Sequence, residues 1–115
     1  HKENSDLDAE LEDGTTDGTY LQKLGNVLPA LLKEVQPDFA FYLSGVDILE
    51  TDKFGKLKVT MQGCKERDRL VFNLLKAANI PCAVSLGGGY SPQVKTIVEA
   101  HCNTFRLAKE IYDLQ

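Results

Sequence analysis

Apolar and polar positions along this chain switch between a period near two and a period near 3.6, and each switch marks an element. Over 5–11, Leu7, Ala9 and Leu11 alternate with polar residues, which predicts a half-exposed strand. Asp13-Gly14 reads as a turn, and Asp17 is placed to cap the helix that follows. That helix carries Tyr20, Leu21, Leu24, Leu28, Leu31, Leu32 and Val35 on one broad stripe. Pro29 falls inside it and should remove a hydrogen bond or bend the axis, and Gln36-Pro37-Asp38 should stop it. Phe39-Ala40-Phe41-Tyr42-Leu43 is unbroken apolar sequence, the pattern of a strand covered on both faces. A charged loop over 50–58 follows. A second helix is expected over 60–79, with Met61, Cys64, Val71, Leu75 and Ala78 on one face, and Asp68 unexpectedly among them. Cys82-Ala83-Val84-Ser85-Leu86 reads as the third strand, closed by Gly87-Gly88-Gly89-Tyr90. Ser91-Pro92 is a good start for a last helix that should bury Val94, Ile97, Val98, Phe105, Ala108 and Tyr112.

The expected order is βαβαβα, which argues for the α/β class: a parallel sheet with helices packed on its faces. Three strands make a thin sheet of this kind, so the pattern fits part of a fold better than a complete one. The 115 residues allow one domain or a piece of one, and the opening at His1 reads as a fragment whose targeting its start does not reveal. Charged residues make up 26% of the chain with a formal net charge of −4, and no basic patch is visible, so no direct binding of nucleic acid is expected. No apolar run approaches the roughly 18 residues of a membrane span, so no membrane partner is expected. Cys64, Cys82 and Cys102 show no metal-finger spacing and read as buried free thiols of a reducing, cytoplasmic interior.

In open α/β folds ligands bind outside the carboxyl ends of the strands. Two features reach that rim: Gly45-Val46-Asp47 after the second strand, and Gly87-Gly88-Gly89-Tyr90 after the third. A carboxylate at a strand end can hold a metal. A glycine triplet lets backbone approach a ligand closely, and a tyrosine beside it offers a hydroxyl. Each has a plainer reading, a loop cap for Asp47 and a tight turn for the glycines. The glycines lack the GxGxxG spacing of a dinucleotide site.

Tyr42-Leu-Ser-Gly-Val-Asp47-Ile-Leu-Glu-Thr-Asp52 resembles the metal-binding aspartate segment of the zinc-dependent histone deacetylase family. Ser85-Leu-Gly-Gly-Gly-Tyr90 resembles that family's glycine-rich loop with its catalytic tyrosine, and Leu11-Glu-Asp-Gly14 with Asp17 and Tyr20 resembles the turn before the corresponding helix. Asp52-Lys-Phe-Gly-Lys-Leu57 and Arg67-Asp68-Arg-Leu-Val-Phe72 are similar to the class IV and bacterial branch. The resemblance implies part of the three-layer αβα arginase–deacetylase fold, with 1–115 as the C-terminal part of the domain. It implies Asp47 as one of three ligands to Zn²⁺ and Tyr90 as the donor to the oxyanion. Gly87, Gly88 and Gly89 would wall the channel for the substrate stem. The implied reaction is hydrolysis of acetyl-lysine, or a related acylated amine, to free amine and acetate.

The family's other two zinc ligands, an Asp-x-His motif, have no counterpart here, nor do its paired histidines. Asp6-Leu7-Asp8 lacks a histidine, and Glu99-Ala100-His101 puts its ends on different helix faces. The fragment alone is therefore expected to be inactive, with zinc absent or weakly held, and to self-associate through the edges its truncation exposes. The alternatives are a non-catalytic α/β module holding an anion at the start of the last helix, and a purely structural or interaction domain. His101 is expected to be partly buried and satisfied, Asp68 to find an ion pair or backbone bond, and Asp52 to brace the 47–57 loop.

Overall fold

The leucines at 21, 24, 28, 31 and 32 recur at helical spacing and wind into α1 (Asp17–Val35). In the computed structural model, which describes residues 7, 9–52, 54–88 and 94–113, it is followed by β1 (Ala40–Gly45), α2 (Met61–Ala77), β2 (Cys82–Gly87) and α3 (Val94–Tyr112). α1 runs through Pro29 and ends where Gln36 turns left-handed at φ 49°, its N–H donating to the Leu32 carbonyl at 2.9 Å. Asp17 does not cap its own helix. Thr16 is the N-cap, and the Asp17 carboxylate instead accepts from Thr60 N at 2.7 Å and from the Thr60 hydroxyl. Thr60 in turn caps α2, its Oγ1 accepting from Gly63 N at 3.0 Å. One carboxylate thus joins the starts of two helices.

β1 and β2 pair in parallel, in register from Ala40 opposite Cys82 to Gly45 opposite Gly87. The strand expected over 5–11 does not form at its described positions, 7 and 9–11, and the order begins with a helix instead. Among the described residues the sheet has two strands, so this segment has no neighbour to build a ladder with. It lies along α1, where Lys23 Nζ donates to the Glu10 carbonyl at 2.6 Å and Ala9 and Leu11 face Tyr20 and Leu24.

The three helices stand on one face of the sheet. Val71, Leu75 and Ile80 form a buried cluster against Leu24, Leu28 and Leu32 of α1 and against Ala40, Tyr42 and Cys82 of the strands. The double-sided cover expected for 39–43 is not supplied by the described residues: Phe41 is 87% and Leu43 65% exposed on the opposite face. An apolar groove of about 470 Å³ separates α1 from the outer edge of β1, lined by Leu24, Leu28, Leu32, Phe39 and Phe41.

α3 is rotated from the expected face. It buries Ala100, Asn103, Thr104 and Leu107, while Val94, Val98 and Phe105 are exposed. Thr104 faces inward, its hydroxyl donating to the buried Asp68, and of the expected face Ile97, Ala108 and Tyr112 stay half-buried. In α2 the expected Cys64, Val71 and Leu75 are buried and Met61 half-buried, while Ala78 follows the helix as its exposed C-cap. The cysteines are free, but only Cys64 is fully buried, and burial pushes its thiol up. His101 is half-buried, and its Nδ1, expected to be satisfied, finds no hydrogen-bond partner among the described residues.

Candidate functional site at the strand ends

The parallel register carries the ends of β1 and β2 to one rim, so Asp47 and the Gly87-Gly88 turn meet there. The Val46 N–H donates to the Gly87 carbonyl at 3.0 Å, which extends the pairing one step past β1. Val46 is buried and Ile48 half-buried, while Asp47 between them is exposed. Val46 and Leu49 anchor the loop in a small core with Cys64 and Ala100. Its far side is tied to Val59, with Glu50 N donating to the Val59 carbonyl at 2.9 Å and Val59 N to the Ile48 carbonyl at 3.1 Å.

Two glycines are required by how closely backbone approaches Asp47. Gly88 has φ +71°, and a Cβ there would lie 3.1 Å from both Asp47 Cβ and Asp47 N. A Cβ on Gly55 would collide with the Asp47 carbonyl. Gly55 is drawn in by Asp52, which is buried and accepts from Gly55 N at 2.7 Å and Phe54 N at 3.1 Å. Asp52 therefore braces the loop, as expected. Of the other expected site residues, Gly87 and Gly88 stand beside Asp47, whereas Gly89 and Tyr90, with Ser91 and Pro92 after them, lie outside the described residues.

Beneath this rim lies a buried polar cluster of which the sequence pattern hints only at Asp68. Asp68 Oδ1 accepts from the Tyr42 hydroxyl, from Arg67 Nε at 3.0 Å and from Ser44 Oγ at 3.3 Å, while its Oδ2 accepts from Thr104. The ion pair expected for Asp68 is thus made with its own neighbour, Arg67, whose Nη2 lies 2.9 Å from Oδ1. Burial raises the Tyr42 hydroxyl above the usual tyrosine range against the opposing pull of Arg67, and the Asp68 carboxylate adds to the rise, so Tyr42 is a neutral donor. The sequence does not single out Arg67, Tyr42, Ser44 or Thr104 for this cluster. The available signal is Asp68 on an apolar helix face, together with Tyr42 and Ser44 sharing one face of β1 at a spacing of two.

Among the described residues no group of three or more His, Cys, Asp or Glu converges. Asp47 fits a metal as a single oxygen ligand: its carboxylate is exposed at the rim, and the glycines around it add no side chain of their own.

The histone deacetylase domain family matches residues 1–105. An uncharacterised protein of Picosynechococcus is 41% identical over 111 residues, covering 96% of this chain and 37% of that protein. Histone deacetylase 2 of Arabidopsis thaliana is 38% identical over 85 residues, covering 74% of this chain and 22% of that protein. The chain thus spans well under half the length of these relatives. Among solved structures, acetylpolyamine aminohydrolase from Burkholderia pseudomallei superposes with a TM-score of 0.71 at 18% identity, over 86% of this chain and 27% of that one. The HD domain of HDA15 superposes with a TM-score of 0.67 at 19% identity, over 89% of this chain and 30% of that one. Likeness at that identity speaks for the fold alone, and it is the arginase–deacetylase fold, with its parallel sheet. The family match over nearly the whole chain speaks for descent, and on that ground the chain belongs to the histone deacetylase domain family.

Proposed function

We propose that this chain is the C-terminal part of a zinc-dependent deacetylase domain that hydrolyses acetyl-lysine or a related acylated amine to the free amine and acetate. The observation that carries the reading is the meeting of Asp47 with the Gly87-Gly88 turn at one rim, inside a chain of this family. When bound, Zn²⁺ would polarise the acyl carbonyl and lower the pKa of a bound water. Asp47 supplies one oxygen to hold it. The turn at Gly88 packs directly against Asp47, an approach that a side chain at position 88 would block. Tyr90 follows that turn in sequence and donates its hydroxyl to the developing oxyanion. The base that activates water, and the remaining ligands, come from other parts of the domain, because the histidines of this chain are only His1 and His101.

The test is acetate release from an acetyl-lysine peptide and from an N-acetylated polyamine. The complete domain is expected to release acetate from at least one of them, to lose this after chelation and to regain it with Zn²⁺. The isolated 115 residues should release none. A complete domain that is inert toward both, or indifferent to chelation, would overturn the reading.

For the isolated chain we infer self-association through a second copy. Among the described residues Phe41 and Leu43 lie bare on the sheet, and β1 pairs with β2 alone, which leaves its other edge to a second copy. Light scattering at micromolar concentration should give about twice the 12.7 kDa of one chain or more. A clean monomer would mean that the face and the edge are covered from within.

A further inference from the structure

Resting on the proposed function only for the role of Asp47, we propose that Arg67 is a positioning residue: its guanidinium fixes the peptide at the end of β1 that presents Asp47, and Asp68 holds that guanidinium in place. The decisive unit is the peptide between Gly45 and Val46. Its carbonyl accepts from Arg67 Nη1 of α2, and its N–H donates to the Gly87 carbonyl of β2 at 3.0 Å. One peptide plane is therefore gripped on both sides, by the helix layer and by the neighbouring strand. The next residue but one from Gly45 is Asp47. Rotation of this plane would redirect Asp47 relative to Gly88, and the two bonds oppose that rotation together.

The grip is built, not incidental. Arg67 is 4% exposed and Asp68 fully buried. A buried ion pair contributes little net stability, and an apolar pair of the same volume often does as well, so stability alone does not account for this one. Each nitrogen of the guanidinium reaches a different acceptor. Nη1 donates to the Gly45 carbonyl, Nη2 to the Ser44 hydroxyl at 2.9 Å, and Nε to the Asp68 carboxylate at 3.0 Å. Only a planar fork makes these bonds at once, and a lysine ammonium cannot. Asp68 is itself immobilised from outside its helix, by Tyr42 and Ser44 of β1 and by Thr104 of α3. β1 and α3 thus set the direction of Arg67 through Asp68. Partners that hydrogen-bond a metal ligand directly typically carry a roughly 10–100-fold share of metal affinity, and Arg67 acts further back, through the Gly45 carbonyl.

The experiment is Arg67→Lys in the complete domain, read by Zn²⁺ affinity against a chromophoric chelator and by hydrogen exchange at the Val46 amide. The amides of Leu28 and Leu75 serve as references for global stability. Zinc binding is expected to weaken about tenfold, the lower end of the range for direct partners of a ligand. Exchange at Val46 should rise about tenfold or more, with the references within about twofold of wild type, because the opening is local. The exposed Arg106, paired with Glu99, provides the control, and Arg106→Gln should move neither quantity. Unchanged zinc affinity and unchanged Val46 exchange in a folded Arg67→Lys protein would overturn the proposal. So would a uniform rise in exchange at all three amides, which marks a merely structural residue. If Arg67→Lys does not fold, Asp68→Asn, which keeps the shape but loosens the hold on Arg67, is read in the same way. If the wild-type domain takes up no zinc, the assignment of Asp47 fails, and Val46 exchange alone decides the role of Arg67.

Discussion

Replacing Asp47 with alanine in the complete domain should weaken zinc binding by more than about 100-fold, beyond what loss of an outer partner costs, and remove nearly all turnover. A catalytic zinc site has three protein ligands, and two rarely hold the ion in an open tetrahedral arrangement. The loss should not come from unfolding. Asp47 is exposed, and the loop around it is held by Val46 and Leu49 below, by Val59 on its far side and by Asp52 through Gly55. Thermal stability of the metal-free protein should stay within about 0.5 kcal/mol of wild type, as for other surface changes. Metal content by elemental analysis, turnover and a melting curve together separate the outcomes. Full zinc and full turnover in the variant would remove Asp47 from the site.

The second large effect is expected at Tyr90. Tyr90→Phe removes one hydroxyl and little else, so zinc content and fold should be retained. An oxyanion donor acts on charge that develops in the transition state, and losing one costs about 10²–10³ in kcat, or roughly 2.7–4 kcal/mol. The substrate KM should change little, because the ground-state carbonyl carries less charge than the oxyanion. Steady-state kinetics decides the role. An unchanged kcat with a raised KM would make Tyr90 a binding residue.

The rim was legible in the sequence for a simple reason. The apolar runs at 39–43 and 82–86 read as strands, and parallel strands in succession end at the same side of a sheet. That rule alone brought Asp47 to the glycine turn, where Gly88 packs against it. What escaped depended on contacts far apart in the chain. Asp17 has the right place to cap α1, yet its carboxylate serves Thr60, 43 positions away. The burial expected for Val94, Val98 and Phe105 follows from their apolarity, but α3 turns Thr104 inward to Asp68 and Ser44, with Ala100 and Leu107 buried beside it. Arg67 was hidden by its position. It lies three residues after Cys64 and four before Val71, on the buried side of α2, but a guanidinium at the flank of an apolar stripe reads as solvated. Its partners there, Gly45 and Ser44 of β1, are more than twenty positions away in the chain. The bare face of Phe41 has a different origin: the sequence specifies a strand covered on both sides, and the described residues provide one of them.

Whether the strand end at Asp47 holds the zinc ion of the complete domain is decided by anomalous X-ray scattering from a crystal of that domain, collected on both sides of the zinc edge. The expected result is a single strong peak about 2.0–2.2 Å from an Asp47 carboxylate oxygen, beside the Gly87-Gly88 turn. A peak bound elsewhere, or none at that carboxylate in zinc-loaded crystals, would contradict it.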